Sequence, residues 1–126
     1  MPVVKLHLSA TLEPVICRAL ADQVRETVVK CLEIDPRFGK VILYQTPRYC
    51  RSVHPDRDPD FALAEVLMFK GRSQEVKNRL FQELARVIAR HTSLSPPNIF
   101  IDLIESQRSD WGIRGGQPAD QVDLGY

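Results

Sequence analysis

Residues 76–103, VKNRLFQELARVIARHTSLSPPNIFIDL, decide the fold when they are read against residues 16–43, ICRALADQVRETVVKCLEIDPRFGKVIL. A shift of 60 positions puts Val76 on Ile16, Leu80 on Leu20, Leu84 on Val24 and Ile88 on Val28, so the apolar stripe of one amphipathic helix lies over that of another. The register continues without a gap: Leu94 falls on Ile34, Pro96 on Pro36, Ile101 on Val41 and Leu103 on Leu43. Two amphipathic helices can align by chance. A helix, a proline break and the following strand do so far less readily together, so a tandem duplication is the economical reading.

Outward from these segments, each half completes the same strand-helix-strand unit. In the first, Val3 to Leu8 alternates as a strand, Thr11 can cap the next helix, and Pro14 suits only a first turn. That helix is expected to run to about Leu32, and after the Asp35-Pro36 and Gly39 breaks Lys40 to Thr46 reads as a strand. In the second unit, Phe61 to Phe69 is a strand, Ser73 caps a helix with Glu75 in its first turn, and Ile99 to Ile104 is the last strand. The expected organisation is one domain over residues 1–126, with repeats at about 2–46 and 61–105 and a glycine-containing tail at 106–126. Its fold class is α/β (α+β): two tandem β-α-β units, each pairing its strands in parallel, form a four-stranded mixed sheet with both helices on one face. Val4, Leu6, Leu8, Ala64, Val66 and Met68 belong to the core side. The other side still carries Ile42, Tyr44, Leu63, Leu67, Phe69 and Ile104, too much apolar surface to leave in water, so self-association is expected.

Composition narrows the partners. The 17 Lys and Arg nearly cancel the 16 Asp and Glu, which gives no global attraction to nucleic acid or an anionic membrane and favours a small-molecule partner. Cys17, Cys31 and Cys50 form no CxxC pair, and His7, His54 and His91 are widely separated, so no metal site and no cofactor is expected. His91 suits the carboxyl end of the second helix. With no signal-peptide pattern at Met1-Pro2-Val3-Val4-Lys5 and no long apolar run, a cytoplasmic protein is expected.

Three features could carry chemistry. Removal of Met1 would expose Pro2 as a secondary amine, a strong base at neutral pH where nearby cations and apolar walls disfavour its protonated form. The 60-residue register sets Ala62 opposite Pro2, so only the first half keeps the base. Lys70-Gly71-Arg72-Ser73 puts two cations at the turn into the second helix; they read either as solvated charges or as a carboxylate site that Gly71 leaves open to a ligand. Trp111, within Asp110-Trp111-Gly112-Ile113-Arg114-Gly115, is either a packing anchor for the tail or part of a pocket.

Together, Pro2, the duplicated architecture, the Lys70-Gly71-Arg72 turn and the Trp111–Gly115 segment resemble the tautomerase superfamily, in particular its malonate semialdehyde decarboxylase-like branch. The resemblance covers nearly the whole chain and implies a homotrimer. It implies Pro2 as catalytic base, Arg72 and Lys70 as the carboxylate-holding pair, Trp111 and Ile113 as the hydrophobic wall, and Arg114 as a further anion contact. The implied substrate is a small 2-oxo acid or related carboxylate, and the implied reaction is keto-enol proton transfer. One departure is informative: Phe38 stands where the decarboxylase branch carries an aspartate, and Asp35 lies three residues too early. This weighs against decarboxylation of a 3-oxo acid, the second enzymatic reading. A third, a non-catalytic trimeric scaffold, follows if Met1 is retained.

Overall fold

The computed structural model describes residues 1–9 and 12–125. Its order is β1 (Val3–Leu8), α1 (Pro14–Leu32), β2 (Lys40–Gln45), β3 (Ala62–Phe69), α2 (Gln74–His91) and β4 (Ile99–Ser106), followed by the short strands β5 (Gly112–Ile113) and β6 (Gln117–Pro118). The four long strands form one sheet in the order β2-β1-β3-β4. β1 pairs parallel with β2 and β3 parallel with β4, while β1 and β3 run antiparallel with Val4 opposite Val66 and Leu6 opposite Ala64. The sheet is therefore mixed, as expected, with one parallel pair in each half.

Period-2 alternation sorts the strand residues. Val4, Leu6, Leu8, Ala64, Val66 and Met68 are buried against Leu20, Val24, Val28, Leu80, Leu84 and Ile88 of the two helices. The stripe of α1 is shorter than its sequence suggests. Val15 and Ile16 are 75% and 38% exposed and burial begins at Leu20, because the first turn stands clear of the core cluster. The suggested Thr11 cap lies outside the described residues, and Glu13 occupies the N-cap position without a side-chain cap bond. In α2 the expected cap is present: the Val76 amide donates to Ser73 Oγ at 3.3 Å. The ring of His91, at the other end of that helix, lies 2.9 Å from the Val87 carbonyl oxygen.

Ile42, Tyr44, Phe100 and Ile104 remain exposed on the face turned from the helices. Within that face His7 lies 2.7 Å from Glu65 and stacks on Tyr44. Phe69, expected in the open, is buried instead, because the tail folds back over it with Ile113, Ala119 and Trp111. The three cysteines form no disulfide, and no helix of the described residues is long and apolar enough to cross a membrane.

Candidate active site

The antiparallel pairing of β1 with β3 sets the start of the chain beside the end of β3, where Phe69 leads into Lys70-Gly71-Arg72. Two sequence-predicted features are thereby neighbours through strand register alone. Pro2 is buried, and its carbonyl accepts a 3.1 Å bond from the Lys40 amide at the start of β2. Met1 packs with Phe69, Ile113 and Trp111. Burial first, and the Lys40 charge second, lower the pKa of the Met1 amine, the terminus of the unprocessed chain. Both causes act against the protonated form.

Beyond β3 the backbone turns at Gly71, whose φ of +122° is a region that side-chain-bearing residues rarely adopt, and a Cβ there would meet nothing within 4 Å. The turn leaves a cavity of about 340 Å³ lined by Phe69, Lys70, Gly71, Arg72 and Arg108. Lys70 is exposed; Arg72 is half-buried and donates from Nη1 to the Leu32 carbonyl at the end of α1. The Lys70 amide is held by the Ser106 carbonyl at 2.9 Å, and the Ser106 hydroxyl accepts from Trp111 Nε1 at 2.7 Å. Trp111 meets Phe69 edge to face at 5.7 Å between centroids, an arrangement aromatic pairs favour.

Of the predicted residues, Lys70 and Arg72 share one cavity, and Trp111 and Ile113 close over Phe69 beside Met1 at the start of the same chain segment as Pro2. Arg114 does not join them: it is exposed on the turn between β5 and β6, with φ +49°, and does not line the cavity. Sequence reasoning missed two neighbours. Lys40 was detectable as the first residue of the strand pairing with Val3, whereas Arg108 lies in a 3₁₀ turn of the tail, where no periodicity marks it. A larger cavity of about 580 Å³ lies between α1 and α2, but its Lys30 and Arg79 are interspersed with Glu26 and Glu83, and it contains none of the predicted groups.

Asp35, the nearest acid to the Phe38 position, is bound by the Arg37 guanidinium and by the Arg37 amide, which hold its pKa down at about 2. It is an ionised turn residue, unsuited to giving up a proton near neutrality. Phe38 itself packs against the core. No group of three metal-binding side chains occurs among the described residues.

A family model described as "Tautomerase enzyme" matches residues 40–114. The FG41 malonate semialdehyde decarboxylase inhibited by 3-bromopropiolate superposes with a TM-score of 0.78 at 23% identity, over 92% of each chain. Native fused 4-OT gives 0.87 at 18% identity, over 95% of this chain and 98% of that one. A fused 4-OT described as a wild-type symmetric trimer gives 0.85 at 18%, over 94% and 96%. No curated protein sequence matches the chain. At these identities the structural likenesses establish the shared fold.

Proposed function

The chain belongs to the family of tautomerase enzymes, and from that premise we propose that Pro2, exposed by removal of Met1, is the general base of a keto-enol tautomerase acting on a small 2-oxo acid or related carboxylate. The observation that carries this reading is that the β1–β3 register sets Pro2, at the start of β1, at the end of the sheet where β3 leads into the cavity lined by Lys70 and Arg72. The neutral secondary amine takes the proton of the enol oxygen, and the resulting prolinium returns it to the adjacent carbon, so the reaction conserves protons and needs no cofactor. Lys70 and Arg72 hold the substrate carboxylate and stabilise the developing enolate charge. A lysine in the pair supplies a point charge, and Arg72 the planar fork. Trp111 and Ile113 wall the site and exclude water, which strengthens both electrostatic effects.

The competing decarboxylase reading has fold likeness in its favour. Against it stands the acid inventory, since Phe38 is apolar and Asp35 is committed to Arg37. We further read residues 1–126 as a single cytoplasmic domain assembling as a homotrimer. The exposed Ile42, Tyr44, Phe100 and Ile104 supply an apolar face for such an assembly, and a trimer is described for one fused 4-OT of the same fold.

Intact mass first establishes whether Met1 is absent. Steady-state assays with phenylenolpyruvate and 2-hydroxymuconate then compare the parent with Pro2→Ala, and equal rates for the two proteins sink the mechanism. A chain that retains Met1 and turns over neither compound supports the scaffold reading. Carbon dioxide release from malonate semialdehyde, measured on the same preparation, would revive the decarboxylase.

A further inference from the structure

The Met1–Pro2 bond is held from both sides. On its carboxyl side Pro2 is buried and its carbonyl accepts from the Lys40 amide at 3.1 Å. The next residue, Val3, is already paired across two strands, opposite Lys40 on β2 and Leu67 on β3. On its amino side the Met1 side chain packs on a cluster separate from the main core. Phe69 supplies the end of β3 to that cluster, and Ile113 and Ala119 come from the tail, with Trp111, Val122 and Leu124 partly buried against them. The tail is fastened at this place: the Trp111 indole donates to Ser106 Oγ at 2.7 Å, and the Ala119 amide donates to the Trp111 carbonyl at 2.9 Å. The first residue of the chain is thereby stapled to its last segment.

An aminopeptidase that removes methionine must take the whole residue into its own pocket and hold the following residues extended. In the folded chain Met1 must first leave the apolar cluster, and the start of β1 must come away from its neighbours. Both are local openings, and cleavage is limited by how rarely the open form is populated. The order of synthesis provides an earlier opportunity. At about 5–20 residues per second, Met1 precedes the tail by on the order of ten seconds. We propose that the tail is a latch over the chain's own processing site: Met1 is readily removed only before residues 111–124 close on it, and a chain that folds with Met1 in place is locked in the blocked form. In the removal step water adds across the Met1–Pro2 bond, releasing methionine and leaving Pro2 as the secondary amine. That retention blocks the protein rests on the reading of Pro2 as the base, whereas the protection itself is measured without turnover.

The full chain is made in a cell-free system under an inhibitor of methionine aminopeptidase, and intact mass verifies that Met1 is present. With the inhibitor removed, the folded chain and the free peptide of residues 1–6 are each incubated with that enzyme, and loss of methionine is followed by mass. Cleavage is expected to run at least about 100-fold slower in the folded chain than in the peptide. Leu124→Asp, which sets a charge against the cluster, should speed it about tenfold or more with the circular dichroism spectrum unchanged, and the milder Leu124→Ala should speed it less. A parent cut within about threefold of the peptide rate overturns the proposal. So does a folded Leu124→Asp chain as resistant as the parent, because strand pairing alone would then protect the bond. Should Leu124→Asp not fold, Leu124→Ala decides by the same criterion. Chains freed of Met1 in this way are then assayed for tautomerisation: protection followed by no turnover leaves the latch standing and removes the role given to Pro2.

Discussion

The two ends of the sheet are related by the 60-residue shift and have diverged. At one end the Pro2 carbonyl accepts from the Lys40 amide, Met1 packs with Phe69, and Phe69 lines a cavity with Lys70, Arg72 and Arg108. At the other the corresponding positions are Phe61, Ala62 and Phe100. There the two phenylalanine rings meet edge to face at 6.2 Å, and Arg51 lies 4.3 Å over the Phe61 ring while donating to the Phe61 carbonyl and to Thr46 Oγ1. A cavity of about 370 Å³ remains, with Arg57 and Asp58 balancing one another in its lining. The backbone scaffold is thus the same at both ends, while the charge differs. A chain terminus cannot be duplicated by repeating a segment, because the second copy is entered through a peptide bond. The end without an amine has taken on aromatic packing instead.

The comparison breaks most sharply at its defining residue. Pro2→Ala is expected to lower kcat by about 10²- to 10⁴-fold, the usual contribution of a general base, with the circular dichroism spectrum unchanged. Its counterpart Ala62→Gly should instead cost about 1 kcal/mol in chemical denaturation, through backbone entropy and a lost buried methyl, with the rate per folded molecule intact. Next in size, Arg72→Leu should raise KM for a carboxylate substrate about 10- to 100-fold, because a charged hydrogen bond is worth about 1.5–3 kcal/mol.

A smaller effect is expected where one end is given the residue of the other. Lys40→Phe, which copies Phe100, removes a cation that lowers the pKa of the Met1 amine and whose backbone amide is bonded to the Pro2 carbonyl, so it is expected to act in the same direction on the Pro2 amine once Met1 is removed. The protonated amine becomes less disfavoured, its pKa rises, and the acidic limb of the pH–rate profile moves to higher pH. At neutral pH kcat/KM should fall about threefold, consistent with one partly screened charge. An unmoved limb would mean that burial alone sets the amine. The smallest change belongs to Asp35→Asn, expected to leave tautomerisation within about twofold between pH 5 and 9, where the ordinary carboxylate is already ionised. The folded-state pKa of Asp35 is depressed, so whatever stability it contributes is present above the unfolded carboxylate range and disappears only as pH falls toward about 2. A large loss of rate in Asp35→Asn would reinstate an acid in the mechanism.

Most of the frame was legible because it is periodic. The stripe from Leu20 to Val28, its echo from Leu80 to Ile88, and the alternation of Val4, Leu6 and Leu8 are all reproduced in the burial of the folded chain. Ser73 was legible for a local reason, since a cap needs only its own first turn. What escaped depends on contacts between distant segments. Lys40 becomes a neighbour of Pro2 only through pairing of β1 with β2, and Arg108 reaches Phe69 only after the tail has folded across the end of β3. Glycine-rich turns allow that path without prescribing it, so the tail could be read as short-range structure and not as the covering of Phe69. Arg114 shows the converse: its neighbours Trp111 and Ile113 pack near the cavity, but a left-handed turn at residue 114 leaves it exposed on a turn outside the cavity lining.

The antiparallel seam between β1 and β3 has a consequence for dissection of the molecule. Leu6 and Ala64 face one another there at 0% exposure, a large side chain opposite a small one, and Val4 is matched with Val66. A peptide ending before β3 would bare the backbone donors and acceptors of β1 along with half of an oily interior, and such an edge recruits whatever strand it meets. Neither half is therefore expected to survive excision as a soluble monomer. Although the halves descend from one ancestral segment on this reading, each has become the other's folding template, and substitutions along the seam should be tolerated far less than those at either end.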